Sequence, residues 1–174
     1  KEILIPSSVT KICENAFSFC RSLKKVSIPT NSNLKTIERE AFNGADIEEI
    51  YFPEGLIELE EGWCDGLYNL KNIIISPSNG QFVFKEDKYL LGKSDSNSDE
   101  FDILLFARRD IEEISIPANV TKICHNAFGD CENLRIVEIP TNSNLKIIER
   151  DAFRETKIEE IFIPASVTKI CYSA

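Results

Sequence analysis

The residues of this chain that could do chemistry are six cysteines and one histidine. The cysteines include no Cys-x-x-Cys pair, so their spacing does not match a structural zinc site. A single histidine cannot form the metal site of a zinc hydrolase. Because adjacent residues of an extended chain point to opposite faces, Cys124 and His125 do not form a nucleophile–base pair. We therefore interpret His125 as a surface residue on the convex side and predict that the protein is not an enzyme and has no catalytic residue.

The cysteines recur at equivalent positions of a repeat, which favours a packing role. Cys20 and Cys131 share one slot, and Leu67 fills that slot in a third copy. A slot that accepts either leucine or cysteine is a packing slot. A second slot, which glutamate fills in other copies and which we expect to be partly exposed, holds Cys13, Cys124 and Cys171. Reduced thiols are the favoured interpretation; the alternatives are a disulfide such as Cys13–Cys20 and a metal site.

An acidic segment and a glycosylation sequon complete the candidate chemistry. Residues 95–99 imitate the start of a calcium loop, but Glu100 replaces the required glycine and Phe106 replaces the bidentate glutamate. We interpret this segment as a solvated hairpin tip, with weak cation binding as the alternative. We predict no metal and no cofactor. Asn119 begins an Asn-Val-Thr triplet, which a eukaryotic secretory pathway could glycosylate.

The element that must position these residues is a repeat of about two dozen residues. A phrase of the form apolar-x-x-apolar-x-apolar-Pro occurs at residues 23–29, 47–53, 111–117, 134–140 and 158–164. In the first of these, Val26 and Ile28 alternate with polar residues, as in a half-buried strand, and Pro29 ends the strand. A fixed period of this size predicts a solenoid, in which each coil buries its apolar face against its neighbours.

A tandem duplication is superimposed on the repeat. The block 3–53 recurs at 114–164, an offset of 111 residues. In each copy, a second short extended piece, at residues 9–12 in the first, precedes an Asn-Ala-Phe stretch. This stretch predicts a tight helical or 3₁₀ turn, with Phe17 pointing inward. The chain starts and stops inside repeat phrases, so we expect it to be a piece of a longer array.

The third coil departs from the pattern and is followed by an expansion. Trp63 and Cys64 stand where other coils have alanine and phenylalanine. The expansion, at about residues 76–110, contains three candidate strands at 82–85, 89–91 and 103–106. We predict that it is a hairpin-bearing coil and that residues 1–174 form a single domain.

These phrases resemble the BspA-like leucine-rich repeat family. The resemblance rests on a recurring set of residues, here Ala16, Phe17, Cys20, Leu23, Val26, Ile28 and Pro29, with counterparts offset by 111 residues. It implies a β-rich α/β solenoid of right-handed leucine-rich repeats, with a parallel concave sheet, short convex strands and 3₁₀ turns. Members are typically surface or secreted proteins, so the resemblance also implies a non-catalytic module for adhesion at the cell surface or for host or matrix interaction. The alternative is an intracellular or assembly scaffold that binds a partner protein of the same organism.

Charge and hydropathy narrow the class of partner. The net charge of −9 makes nucleic acid an unsuitable partner, because an acidic surface repels phosphates. No apolar run approaches the length of a membrane span. We expect the partner to be a protein, such as an extracellular-matrix or host-surface protein, or a glycan, and the location to be the cell surface or the secreted fraction.

The candidate binding residues are those that point outward from the concave sheet. Exposed aromatic and aliphatic residues on a rigid sheet are typical interface anchors. The apolar candidates are Tyr51, Ile74, Ile136 and Phe162, and the charged candidates are Lys25, Glu49, Glu113 and Glu138. The hairpin at 81–109 is a second candidate site. One position before each strand, the charge alternates in sign from coil to coil, which predicts a device that fixes strand register.

Overall fold

A computed structural model describes residues 1–174. The chain divides into two compact units, Lys1–Asp87 (unit 1) and Lys88–Ala174 (unit 2). The single domain over residues 1–174 stays a prediction. Both units are built from short strands and turns, and the chain contains no helix.

Fifteen strands are present, most of them two to four residues long. They are β1 (Glu2–Leu4), β2 (Lys11–Ile12), β3 (Lys25–Ser27), β4 (Thr36–Ile37), β5 (Glu49–Phe52), β6 (Glu58–Leu59), β7 (Asn72–Ile75), β8 (Phe82–Lys85), β9 (Tyr89–Gly92), β10 (Ile103–Ala107), β11 (Glu113–Ser115), β12 (Lys122–Ile123), β13 (Ile136–Glu138), β14 (Ile147–Ile148) and β15 (Lys169–Ile170).

Unit 1 is a stack of coils that forms two parallel sheets. The strands β1, β3, β5 and β7 form one sheet in that order, here called the front sheet of unit 1. The strands β2, β4 and β6 form the other, the back sheet of unit 1. All neighbours in both sheets are parallel and in register. The predicted β-solenoid of stacked parallel coils is therefore confirmed.

The core of unit 1 lies between its two sheets and consists of the residues that alternate inward. Val26, Ile50 and Ile73 lie side by side in the front sheet and are almost completely buried. Phe42 stacks on Phe17 of the preceding coil, with ring centroids 5.5 Å apart. This confirms the predicted inward phenylalanine, which repeats from coil to coil because each coil buries its neighbour's ring.

The third coil of unit 1 keeps its core despite the changed motif. The Trp63 ring packs edge-on against Phe52 at 5.7 Å, and Cys64 is fully buried. Asn79 then anchors the start of the expansion. Its side-chain amide nitrogen donates to the carbonyls of Pro53 and Leu56, at 2.8 and 2.9 Å. A buried side chain that is hydrogen-bonded in this way fixes the chain where it leaves the regular repeat.

The α/β assignment and the predicted 3₁₀ turns are not confirmed. Isolated i to i+3 hydrogen bonds occur, such as Ala16 N to Cys13 O, but they do not continue into a helix. The reason is that two residues four positions apart in these turns are left-handed. Asn15 and Phe19 have φ of 59° and 56°, and Gly62 and Gly66 have φ of 78° and 69°. A 3₁₀ helix needs consecutive right-handed residues, so each left-handed residue ends the turn.

Unit 2 repeats the same plan. Its front sheet consists of β11 and β13, which pair in parallel. Its back sheet contains β10, β12, β14 and β15 in parallel, and β9 pairs with β10 in an antiparallel hairpin. The Phe128 and Phe153 rings stack at 5.1 Å, as the equivalent pair does in unit 1.

Two details of unit 2 bear on the sequence predictions. The three strands predicted in the expansion form, as β8, β9 and β10. The phrase at residues 158–164 forms no strand, although its sequence matches the others. The bond from Lys157 N to Leu134 O, at 2.9 Å, joins the start of this coil to its neighbour, and the coil rejoins the back sheet only at β15. The prediction of a strand there was wrong.

Candidate functional site: the front sheets

The outward side chains of the unit 1 front sheet form two rows. Cα register places Glu2, Lys25, Glu49 and Asn72 in one row across the four strands. In the second row Leu4 is the partner of Ser27, and Tyr51 is the partner of Ile74. The two rows arise because side chains alternate along each strand while the strands stay in register. This outward surface is called the unit 1 front face.

The first row is polar, and its charges are already paired within the protein. Lys25 Nζ lies 3.3 Å from Glu49 Oε1, and Asn72 donates to Glu49 Oε2 at 3.0 Å. The Ser27 hydroxyl of the neighbouring row donates to Glu2. Exposed pairs of this kind contribute only about 0–1 kcal/mol each. Their role is to hold the register, which leaves less of their charge for a partner.

Lys24, one of the alternating charges that precede the strands, also forms ion pairs with residues of the next coil. Lys24 Nζ lies 2.5 Å from Glu48 Oε1 in the next coil and 3.5 Å from Asp46. These ion pairs raise the pKa of Lys24 above its ordinary value, mainly through the hydrogen bond to Glu48. Lys24 therefore links its coil to the next one, as the alternation predicts, whereas Glu112 and Glu159 of the same row form no ion pair.

The second row is where the unit 1 front face presents apolar surface. Ile74 is 42% exposed and Leu4 is 68% exposed, while Tyr51 is half-buried beside Ile74. Covering apolar surface is worth about 25 cal/mol per Å², so these side chains can supply binding free energy that the paired charges cannot. Leu4 was not among the sequence candidates, although its outward position in the first strand was available as a signal.

Unit 2 carries a front face of different chemistry. In it Glu113 is the partner of Ile136, and Ser115 is the partner of Glu138. Ile136 is 53% exposed, and both glutamates are exposed. Phe162 is also exposed, at 60%, but lies in the segment that forms no strand. The structure therefore brings three of the four unit 2 candidates together and leaves Phe162 apart from them.

The second candidate site, the hairpin at 81–109, buries most of its apolar side chains, while Val83, Phe84, Phe101 and Ile103 are half-buried. Leu90, Leu104 and Phe106 have no exposed surface. The tip between β9 and β10 is polar, and Asp102 there accepts hydrogen bonds from Ser94 and Thr121. Burial raises the pKa of Asp102, but these hydrogen bonds outweigh burial and hold the pKa below its ordinary value. The one apolar side chain of the tip, Phe101, is half-buried, and Lys93 Nζ lies over its ring at 5.2 Å from the centroid.

His125, the only histidine, lies outside the front-sheet strands. His125 is only 5% exposed, so its prediction as a surface residue was wrong. Its Nδ1 lies 2.8 Å from the Arg150 carbonyl. A carbonyl only accepts, so the imidazole donates from Nδ1. The backbone N–H of His125 also donates to Glu149 Oε2 at 3.0 Å, so both bonds hold this residue against the next coil.

All six cysteines are free thiols. Cysteines at the same position of the repeat differ in burial from one coil to another. Cys131 is fully buried, whereas Cys20 in the equivalent slot is exposed. Burial raises the pKa of the Cys131 thiol, against the lowering effect of the neighbouring Arg109. No group of three or more histidine, cysteine, aspartate or glutamate side chains is placed to hold a metal ion. Asn119 is half-buried and donates to the Phe101 carbonyl at 3.0 Å.

Stacked parallel coils, inward phenylalanine ladders and a strand-bearing repeat define a leucine-rich repeat solenoid. The sequence matches the BspA-type leucine-rich repeat region in six copies over residues 1–89 and 99–174, and the chain belongs to this family. Such repeat families generally serve as non-catalytic modules that bind proteins. No helix of the chain has the length and apolar character needed to cross a membrane.

Solved structures of bacterial proteins share the fold at low sequence identity. The pneumococcal vaccine antigen PcpA has a TM-score of 0.80 and 22% identity, covering 98% of this chain and 47% of its own. A leucine-rich cell surface protein from Faecalibacterium prausnitzii has a TM-score of 0.70 and 21% identity, with coverages of 99% and 60%. A leucine-rich repeat protein from Eubacterium ventriosum has a TM-score of 0.74 and 21% identity, with coverages of 98% and 49%.

This chain thus spans about half the length of the solved proteins that it resembles. Among curated proteins, none matches the sequence.

Proposed function

We propose that this chain is a non-catalytic protein-binding module that acts at the cell surface, in adhesion or in contact with a host or its matrix. The binding surfaces in this proposal are the two front faces. The family, and relatives that are described as a cell surface protein and a vaccine antigen, support the location. The right-handed winding that the family resemblance implies is part of the same proposal.

The observation that carries the proposal is where the two copies of the duplicated block differ. Six outward positions of the front face, in β1, β3 and β5, have equivalents 111 residues later, and four of the six differ. The changes are Leu4 to Ser115, Lys25 to Ile136, Ser27 to Glu138 and Tyr51 to Phe162. The inward positions of the same strands are retained almost completely, because they pack the core.

Exposure alone does not explain these differences. Around β4 and its equivalent β14, exposed residues are identical in both copies: Asn31, Asn33, Lys35 and Arg39 match Asn142, Asn144, Lys146 and Arg150. Exposed positions at the turns also differ, for example Phe19 and Arg21 against Asp130 and Glu132, so divergence is not confined to the front sheet. The front face is the diverged surface that regular strands hold in register, and this supports recognition there, since specificity in repeat proteins resides in such surface residues.

The experiment that tests the proposal is binding of the full chain to a panel of extracellular-matrix proteins and host cells. The test variant is Tyr51→Ala/Ile74→Ser, which removes the register-paired apolar residues of the unit 1 front face. The matched control is Tyr68→Ala/Ile57→Ser, because these side chains are 57% and 60% exposed but lie outside the front sheet.

We expect the test variant to lose binding by at least about tenfold while remaining folded, and the control to bind as the wild type does. Equal binding by all three proteins would contradict the proposed surface. Exclusive cytosolic location of the protein in its source cell would contradict the proposed place of action.

A further inference from the structure

The front faces of the two units differ in charge. In unit 1, seven positions on or beside the front face hold three lysines and three glutamates, which balance: Lys1, Lys24, Lys25, Glu2, Glu48 and Glu49, with Ser27. The equivalent positions of unit 2 hold one arginine and five glutamates, a net charge of −4: Arg135, Glu112, Glu113, Glu138, Glu159 and Glu160, with Ile136. Glu159 and Glu160 lie in the segment that forms no strand, and the positions on or beside β11 and β13 alone carry a net charge of −2. The duplication therefore produced one neutral face and one acidic face.

The unit 2 carboxylates are also unpaired, in contrast to their equivalents. All five glutamates are exposed, and none of them has a side-chain hydrogen bond or ion pair within the protein. In unit 1, Glu48 and Glu49 pair with Lys24 and Lys25. The replacement of Lys25 by Ile136 removes the lysine that would have paired the glutamate in the next coil. A partner can therefore pair with these carboxylates without breaking an ion pair within the protein.

An apolar side chain lies in the middle of this acidic surface. Ile136 is 53% exposed, its Cα partner is Glu113, and Glu138 follows two residues later on the same face. A complementary surface would cover the isoleucine with an apolar group and place cations on both sides of it. A cationic protein segment has these properties, whereas the absence of a suitable ligand group argues against a bound metal ion at these carboxylates.

We propose that the unit 2 front face docks a basic protein segment. An apolar side chain of the segment covers Ile136, and flanking lysine or arginine side chains pair with Glu113 and Glu138. This inference rests on the proposed function, since it assigns a class of partner to one of the two proposed binding faces.

The duplication supplies test variants that the fold already accommodates. Ile136→Lys/Glu138→Ser gives unit 2 the residues of unit 1 at the same strand positions. Glu132→Arg, the control, introduces the residue of unit 1 at an exposed position outside the front sheet, where Arg21 stands. Both variants change the net charge by the same amount, so they separate docking at the face from a general electrostatic effect.

The probe is a synthetic peptide in which one leucine lies between two pairs of lysines, and its binding to the full chain is measured by fluorescence anisotropy. We expect the wild type and Glu132→Arg to bind it, and Ile136→Lys/Glu138→Ser to bind at least about tenfold more weakly. Binding should weaken as salt is added, because exposed charges are screened. Peptides with serine for leucine, or glutamate for lysine, should bind more weakly.

Three results would overturn the inference: no binding of the lysine–leucine peptide, equal loss of binding in both variants, or equal binding of the glutamate peptide. The proposed function fails by a different measurement, since it depends on the Tyr51→Ala/Ile74→Ser variant and the panel of matrix proteins and cells. Binding to the panel through unit 1 without binding to the peptide would refute only the basic-segment inference.

Discussion

Replacing Gly66 by alanine should strongly destabilise unit 1. Gly66 has a φ of 69°, and a β-carbon there would lie 2.3 Å from Asn43 Oδ1 and 2.5 Å from the backbone nitrogen of Gly44. The left-handed conformation costs an alanine about 1–2 kcal/mol. Crowding against packed neighbours costs typically about 1–3 kcal/mol more. We therefore expect Gly66→Ala to lower the free energy of unfolding by about 2–5 kcal/mol, a large fraction of the stability of a typical domain.

The assay is urea unfolding followed by the fluorescence of Trp63, the only tryptophan, which is buried three residues before Gly66. Gly80→Ala is the matched control, because a β-carbon at Gly80 meets nothing within 4 Å and its φ is not left-handed. The control should change the free energy of unfolding by less than about 0.5 kcal/mol. If the two variants unfold at the same urea concentration, the left-handed corner is not the constraint that the geometry indicates.

Three further perturbations test other contacts of the structure. Glu155→Gly should raise the free energy of unfolding by up to about 1 kcal/mol, because Glu155 is exposed and has a left-handed φ of 56°, which glycine adopts without strain. A melting temperature at or below that of the wild type would contradict this prediction. Asp102→Asn should destabilise the protein at neutral pH, because the folded-state pKa of Asp102 is lowered. The stabilisation by the carboxylate is complete above the ordinary aspartate pKa and is lost as the pH falls through the folded-state pKa. The difference in melting temperature between the wild type and the variant should therefore shrink in acid. A constant difference across this pH range would argue against that role. Iodoacetamide should alkylate Cys13 and Cys20 in the native protein, but Cys64 and Cys131 only after denaturation, as read by mass spectrometry; labelling of all four at one rate would contradict the observed burial.

The front-sheet strands could be predicted from sequence because five of the six repeat an apolar alternation that ends at proline. Val26 and Val137 occupy equivalent inward positions and are both buried, and the register of their strands follows from the repeat. The outward candidates Ile74 and Ile136 follow from the same alternation, because a residue between two buried neighbours on a strand must point the other way. Periodicity therefore determines which side of a strand a residue occupies.

The turns could not be predicted so well, because their conformation depends on single left-handed residues. Most of these positions hold asparagine, aspartate, glutamate or phenylalanine, which give weak signals for positive φ. Gly44, Gly62 and Gly66 occupy equivalent positions in other coils and were the available clue. Because these glycines were not used as a signal for positive φ, the turns were predicted as 3₁₀ turns. The burial of His125, which directly precedes the left-handed Asn126, was not predicted.

The solenoid separates the residues that determine stability from those available for recognition. An inward residue such as Ile50 contacts the coils on both sides, so replacing it disturbs three coils at once. An outward residue such as Lys25 lies between its ladder partners Glu2 and Glu49, and its ion pair with Glu49 is exposed and worth about 0–1 kcal/mol. After the duplication, the outward position could therefore change from lysine to isoleucine without loss of the fold. The same physics explains why one backbone plan can present a neutral face in unit 1 and an acidic, apolar-centred face in unit 2.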